Sequence, residues 1–275
     1  MRDRIAERFA ALREQGRSGL VCFLVGGDPD PVTFAGLLEE VVAAGADVVE
    51  IGMPFSDPMA DGPVIQKGNL RALGAGVRLA DLLEAVEAFR RVDRSTPIVL
   101  MGYYNPILAY GRLRFLERAR EVGVDGLIVV DVPPEEDEEL CLPALERELA
   151  FIRLVAPTTG EERLAAMLQR SAGFVYYVSL TGITGVGRPV QEEVAAAVAR
   201  LRRHTRLPVA VGFGIREPQQ ARAIAAHADA VVVGSALVAV VEEHVSADAD
   251  HKELIPAVGA KVRALREALE GVARR

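Results

Sequence analysis

The chain has 275 residues and a formal net charge of −7 at pH 7, and its composition is 50% hydrophobic and 26% charged. This balance is typical of a globular fold with a large buried core, and it excludes a chain that is mostly disordered. The acidic charge, with no separate block of basic residues, argues against nucleic acid as a partner.

The first 16 residues predict an extra helix that would lie across one end of the fold. Their acidic residues Asp3, Glu7 and Glu14 are unlike those of a transit peptide, and no apolar targeting segment follows. No apolar run approaches the ~20 residues that span a bilayer. We therefore expect a cytoplasmic protein with no membrane partner.

Eight apolar runs rich in Val, Ile, Phe and Tyr recur from residue 20 onwards. Because they mostly lack strict alternation with polar residues, they predict parallel strands that are covered on both faces. The predicted strands are 20–27, 47–55, 97–103, 126–133, 151–157, 174–180, 208–215 and 230–238.

Amphipathic segments separate the predicted strands, for example 31–45, 79–92 and 190–204, in which apolar residues recur at helical spacings. Strand and helix alternate throughout with no linker, which predicts one domain over residues 1–275. The expected fold class is α/β, a single (β/α)₈ TIM barrel with an extra N-terminal helix and a closing helix at 251–274.

Glu50 is a candidate catalytic residue because it lies in the second half of an apolar strand. Active sites of TIM barrels lie at the C-terminal ends of the strands, and a carboxylate buried there costs several kcal/mol unless the site uses it. The alternative is a core glutamate paired with an arginine. Inward-facing carboxylates are uncommon, so we favour a functional role.

Two connections between predicted elements are long, 56–77 and 181–189. In the first, turn formation by Asp-Pro and Asp-Gly pairs explains Asp57 well and Asp61 less well. Asp61 could instead fold back over the mouth of the barrel. The loop alone leaves both interpretations open.

Small residues end the seventh and eighth predicted strands, where barrels often bind phosphate. Gly212 and Gly214 allow the backbone to approach an anion closely, and Gly234 and Ser235 would begin a short helix whose N-terminus attracts negative charge. The glycine-rich connection at 181–189 could contribute to the same corner. We therefore predict an anion site there, with a short phosphate-binding helix after the eighth strand.

Several kinds of chemistry lack candidate residues. None of the three lysines lies at a predicted strand end, so a Schiff base has no candidate. The four histidines lie on or beside predicted helices, and Cys22 and Cys141 match neither a metal site nor a disulfide framework. Acid/base catalysis by carboxylates remains, and no metal or cofactor is implied. A tyrosine is a further candidate, from Tyr103, Tyr104, Tyr176 or Tyr177.

Several longer motifs run along the chain: VVEIGMPFSDPMADGPVIQKGNLRAL at 48–73, GYYNPI at 102–107, DGLIVVDVPPEE at 125–136, LVAPTT at 154–159, YYVSLTGITG at 176–185, VGFGI at 211–215 and VVVGSAL at 231–237. These motifs resemble those of the tryptophan synthase alpha chain family, and the resemblance covers essentially the whole chain. Gly68, where alanine is more usual, and His227, where glycine often ends a helix, are mild departures away from the catalytic positions.

The resemblance implies a lyase of tryptophan biosynthesis that cleaves indole-3-glycerol phosphate into indole and glyceraldehyde 3-phosphate by a retro-aldol reaction. It implies that Glu50 is the general acid/base, that Asp61 lies beside the indole N–H and that Tyr176 helps to line the site. Backbone N–H groups would hold the phosphate at Gly185, Gly214, Gly234 and Ser235. Indole would contact Phe23, Met101, Ile128 and Phe213.

The resemblance also implies moving loops and a partner. The connections 56–77 and 181–189 would close as lids, and Thr184 would position the second of them against Asp61. The partner would be the tryptophan synthase beta subunit in an α₂β₂ heterotetramer. Pyridoxal phosphate would belong to that subunit, and this chain would carry no cofactor. The loops that include Pro58, 102–107 and 131–136 would face the partner.

Three alternatives remain open at this stage. A stand-alone lyase that releases free indole would use the same catalytic residues. Another phosphate-binding isomerase or aldolase is disfavoured because no lysine or histidine lies at a strand end. A non-catalytic barrel that serves as an allosteric partner is disfavoured because both carboxylates are present.

Overall fold

The computed structural model describes residues 3–178, 188–212, 214–247 and 251–272. In these residues nine strands form one sheet, and all paired neighbours run parallel. The strands are β1 (Gly19–Val25), β2 (Val48–Gly52), β3 (Ile98–Gly102), β4 (Gly126–Val129), β5 (Ala150–Phe151), β6 (Arg153–Val155), β7 (Val175–Val178), β8 (Val209–Gly212) and β9 (Ala230–Val233).

Helices follow the strands in alternation, as the sequence predicts. In the part of the chain that the structure describes, the α-helices are α1 (Arg4–Glu14), α2 (Pro31–Ala43), α3 (Pro63–Gly74), α4 (Leu79–Val92), α5 (Tyr104–Tyr110), α6 (Arg112–Val122), α7 (Cys141–Glu146), α8 (Glu161–Gln169), α9 (Arg188–Arg202), α10 (Pro218–Ala225), α11 (Ser235–Ser246) and α12 (His251–Leu269).

The sheet closes through one short segment of chain. The strand order is β5-β4-β3-β2-β1-β9-β8-β7-β6, so the two ends of the sheet are consecutive in sequence. They are separated by Ile152, whose N–H donates to the carbonyl of Leu127 at 2.9 Å. Together β5 and β6 correspond to the fifth predicted strand. The prediction of eight strands in a TIM barrel is confirmed.

Alternate residues of each strand point into the barrel, and α1 closes its N-terminal end. Ile5, Phe9 and Leu12 of α1 are buried against inward-facing side chains of the strands. The ring of Phe9 lies 5.7 Å from that of Phe174. Asp3 caps the helix by accepting a hydrogen bond from the N–H of Ala6. The predicted extra N-terminal helix is therefore confirmed.

The N-terminal end of the barrel is tied together by buried aspartates that precede strands. Asp47, just before β2, accepts a hydrogen bond of 2.9 Å from the N–H of Leu20 in β1 and pairs with both terminal nitrogens of Arg17 at 2.8 Å. Asp125, just before β4, bonds in the same way to the N–H of Ile98 in β3. Each aspartate precedes one strand and bonds to the backbone of the neighbouring strand, so it stabilises the pairing of the two strands.

The connection 56–77 is not the long loop that the sequence predicts, because helix α3 occupies most of it. Pro63 is at the start of this helix, where a proline loses no backbone hydrogen bond. The buried face of α3 consists of Gly68, Asn69 and Ala72, and these small or polar residues give little helical periodicity. Within this connection, only residues 56–62 before the helix and 75–77 after it remain non-helical.

Three features of the described residues concern metal binding, disulfide bonds and membrane insertion. No group of three or more potential metal ligands comes together within them. Cys22 and Cys141 are buried, separate thiols. No described helix combines the length and the apolar character needed to cross a bilayer.

Candidate active site

A cavity of about 390 Å³ opens at the C-terminal end of the barrel. Its walls come from strand ends, from the loop before α3 and from the turns after β8 and β9. This is the end at which TIM barrels carry their active sites. The structure brings eight of the predicted site residues to this cavity: Phe23, Glu50, Asp61, Met101, Tyr176, Gly214, Gly234 and Ser235.

Glu50 projects into the cavity from the barrel wall. It lies in β2 between Phe23 of β1 and Val99 of β3, and its side chain is completely buried. Neither carboxyl oxygen has a hydrogen-bond partner in the described protein. Because burial disfavours the charged form, the pKa of Glu50 rises to about 8. At neutral pH this group holds a proton that it can donate.

Asp61 approaches the same cavity from the loop above it. Its carboxylate accepts a hydrogen bond of 3.1 Å from the side-chain amide of Asn69 in α3. Partial burial raises the pKa of Asp61, while hydrogen bonds from Asn69 and Tyr103 oppose the rise. The site therefore combines a buried carboxyl group in the wall with a hydrogen-bonded carboxyl group in the loop.

Tyr103 anchors the loop that carries Asp61. Its hydroxyl accepts a hydrogen bond of 3.0 Å from the N–H of Ala60, and its ring lies 5.4 Å from that of Phe55. Burial raises the pKa of Tyr103 to about 12, so the hydroxyl stays protonated. The sequence offered Tyr103 only as one of four tyrosines, because its partners become visible only once the loop is folded.

Two glycines make room for the aromatic side chains of the cavity. A Cβ at Gly52 would lie 2.6 Å from Cζ of Phe23, and a Cβ at Gly212 would lie 2.7 Å from the hydroxyl of Tyr176. Tyr176 is partly buried, and its pKa is raised by burial and further by the negative charge of Glu50. The glycines at these strand ends therefore allow both rings to lie beside Glu50.

The part of the cavity formed by the turns after β8 and β9 has the features of an anion site. Helix α11 begins at Ser235 with Gly234 as its N-cap residue, and no side chain caps it. The first N–H groups of a helix have no partner within the helix, so they can bind an anion. Gly214 has φ +71°, a conformation that favours glycine, and it lies in the turn after β8 that lines the same part of the cavity.

A sequence model described as tryptophan synthase alpha chain matches residues 9–269. The chain belongs to the tryptophan synthase alpha chain family. Tryptophan synthase subunit alpha from Legionella pneumophila str. Paris is 38% identical, with a TM-score of 0.91 over 99% of this chain and 100% of that one. Tryptophan synthase from M. tuberculosis, in an open form with BRD0059 bound, is 34% identical, with a TM-score of 0.86 over 98% and 99%.

Tryptophan synthase alpha chains are lyases of tryptophan biosynthesis, and they cleave indole-3-glycerol phosphate by a retro-aldol reaction. This chain is an enzyme of that class. The predictions of family, fold, enzyme class and activity are therefore confirmed. The interpretations as an isomerase, an aldolase or a non-catalytic barrel no longer apply.

Not every residue predicted from the tryptophan synthase alpha chain resemblance reaches the cavity. Ile128 faces the barrel interior one layer deeper, where it packs beneath the site. Val130, two residues further along the same face, lines the cavity in its place. Strand alternation could have identified Val130. The predicted residues Thr184, Gly185 and Phe213 lie outside the described residues.

Proposed function

We propose that Glu50 is the general acid/base of this tryptophan synthase alpha chain and that Asp61 stabilises the positive charge that develops on the indole ring. One observation carries the proposal: Glu50 is completely buried, lacks any described hydrogen-bond partner and lines the same cavity as Asp61. A carboxyl group buried in this way is costly to keep unless the reaction uses it.

The reaction needs a proton at C3 of the indole before the carbon–carbon bond can break. Protonated Glu50 donates it, and the resulting indoleninium cation carries its charge largely on N1, where Asp61 stabilises it. The carboxylate of Glu50 then accepts the proton of the hydroxyl next to the breaking bond. The bond electrons return to the ring, so indole and glyceraldehyde 3-phosphate form and Glu50 is protonated again.

The walls of the cavity suit both ends of the substrate. Phe23, Met101 and Leu154 offer apolar surface for the indole ring. The backbone at Gly214 and the start of α11 suits the phosphate. We propose that Gly185 completes the phosphate site, that Phe213 completes the indole pocket and that Thr184 positions its loop against Asp61.

We also propose that residues 1–275 form one cytoplasmic domain without a cofactor of its own, and that its partner is a tryptophan synthase beta subunit that binds pyridoxal phosphate in an α₂β₂ heterotetramer. The M. tuberculosis relative supports a beta-subunit partner, because its solved structures are described as tryptophan synthase as a whole.

An exposed apolar residue lies in the loop that carries Asp61, because 85% of the surface of Met59 is accessible to solvent. A partner docked there would couple its binding to the position of Asp61.

The testing experiment follows indole release from indole-3-glycerol phosphate by the purified chain, without added metal or cofactor, in the presence and absence of a beta subunit. Slow release that rises sharply with the partner supports an alpha subunit in a complex. Fast release by the chain alone supports the stand-alone lyase instead. Loss of release in Glu50→Gln, with the far-ultraviolet circular dichroism spectrum unchanged, supports the role of Glu50.

A further inference from the structure

Arg216 is the only cationic side chain among the described residues that line the cavity. The two carboxyl groups in the lining belong to Glu50 and Asp61. Arg216 follows β8 in the turn that leads to α10, on the side of the cavity that holds Gly214 and Ser235. The carboxyl groups therefore come from β2 and the loop that follows it, and the positive charge comes from the turn after β8, three strands further along the sheet.

The backbone of Arg216 is held in place by a hydrogen bond, whereas its guanidinium has no partner within the described protein. Its backbone N–H donates to the side-chain oxygen of Gln220 at 2.8 Å, and the preceding residue, Ile215, is buried. The guanidinium is exposed and makes no ion pair or hydrogen bond with the described residues. By contrast, Arg71 pairs with Asp28 through two bonds of 2.7 Å on the outer side of the same barrel end.

A guanidinium and a helix N-terminus that line one cavity are together chemically suited to a phosphate group. It can donate two parallel hydrogen bonds to phosphate oxygens, and its charge does not depend on pH in the working range. The backbone N–H groups at the start of α11 add further donors. The buried and unpartnered Glu50, which faces the same cavity, is independent evidence that this space is built for a ligand.

We propose that Arg216 binds the phosphate group of the substrate and makes the site selective for phosphorylated indole compounds. The inference rests on the proposed function, because it assumes that the substrate enters this cavity. Arg216 also orients the substrate: its attraction for the phosphate, together with repulsion by the carboxylate of Asp61, keeps the phosphate on the α11 side and leaves the indole ring beside Glu50.

The test compares two ligands that differ only in their phosphate. One is indole with a three-carbon chain ending in a phosphate ester, and the other has a free hydroxyl at the same place. Affinities are measured by calorimetry for the unaltered chain, Arg216→Ala and Arg216→Lys. The control is Arg203→Ala, because Arg203 is exposed just beyond α9, at the opposite end of the barrel.

Arg216→Ala should weaken binding of the phosphorylated ligand roughly tenfold, as expected for loss of a charged hydrogen bond, and leave the other ligand unchanged. Arg216→Lys should restore part of the difference, and Arg203→Ala should have no effect. Equal losses for both ligands, or no loss for either, would overturn the proposal. Cleavage of indole-3-glycerol phosphate by the unaltered chain is measured separately, so failure of the proposed function is distinguishable from failure at Arg216.

Discussion

Asn69 donates a hydrogen bond of 3.1 Å from its side-chain amide to the carboxylate of Asp61. Asn69 lies in α3 and is almost completely buried, so the helix fixes the position of this amide. Tyr103 holds the neighbouring residue, Ala60, from the other side of the loop. Asp61 is therefore positioned by two separate elements before any ligand binds. This positioning lowers the entropy that must be lost to orient its carboxylate during the reaction.

Asn69→Ala should lower the turnover number roughly tenfold with a smaller change in KM, because Asp61 acts chiefly once positive charge has developed on the ring. Steady-state kinetics with indole-3-glycerol phosphate measures both constants. Tyr103→Phe should act in the same direction, since it frees the N–H of Ala60. Unchanged turnover in both variants would show that the loop does not need these anchors.

Glu50→Gln should remain folded and lose activity by a factor on the order of 10² to 10⁴, the usual contribution of a general acid/base. Glutamine has nearly the same shape but cannot transfer a proton. Single-turnover measurements of indole release test this, and thermal unfolding provides the folding control. Appreciable turnover in the variant would remove Glu50 from the mechanism.

Glu50 should also make stability depend on pH. Its pKa is 4.5 in the unfolded reference and about 8 when buried, so the folded state holds an extra proton between these values. Stability should fall as the pH rises from about 4.5 to about 8. Glu50→Gln lacks this titration and should become the more stable protein at pH 8, by on the order of 3 kcal/mol. Denaturant unfolding of both proteins across this pH range measures the free energy of unfolding. If the two proteins showed the same dependence on pH, the assignment of the raised pKa to Glu50 would be wrong.

Gly212→Ala should impair the site and the fold together. The added Cβ would lie 2.7 Å from the Tyr176 hydroxyl and 2.8 Å from Cβ of Val232, so one of them must move. We expect a loss of roughly 1 to 3 kcal/mol in stability and weaker ligand binding. Gly74→Ala is a matched control, because nothing lies near its Cβ, and it should be neutral or slightly stabilising. Equal behaviour of the two variants would contradict the packing argument.

Asp47→Ala should destabilise the protein by roughly 3 to 5 kcal/mol, because it leaves the buried N–H of Leu20 without its partner and removes the carboxylate that pairs with Arg17 and Arg266. The residue lies at the N-terminal end of the barrel, away from the cavity. KM and turnover at low temperature should therefore stay close to those of the unaltered chain. A selective loss of activity, without loss of stability, would indicate that the two ends of the barrel are coupled.

Sequence periodicity predicted the strands, the barrel and Glu50, because parallel strands and an isolated carboxylate leave strong local patterns. It failed for α3, whose buried face of Gly68, Asn69 and Ala72 carries no apolar stripe. It also missed Arg216 as a cavity residue, and it left Asn69 unnoticed as a partner of Asp61. These relationships join residues from different βα units, so they exist only after the barrel has closed.

The closure of the barrel through residues 150–155 also limits how the protein can associate. Because β5 and β6 pair with opposite ends of the same sheet, the strands that the structure describes leave no long unpaired edge for another molecule. Strand addition and edge-to-edge aggregation are therefore disfavoured for the folded chain. Assembly through side chains of the helices and loops is favoured instead, and these can be altered one at a time without disturbing the hydrogen bonds of the sheet.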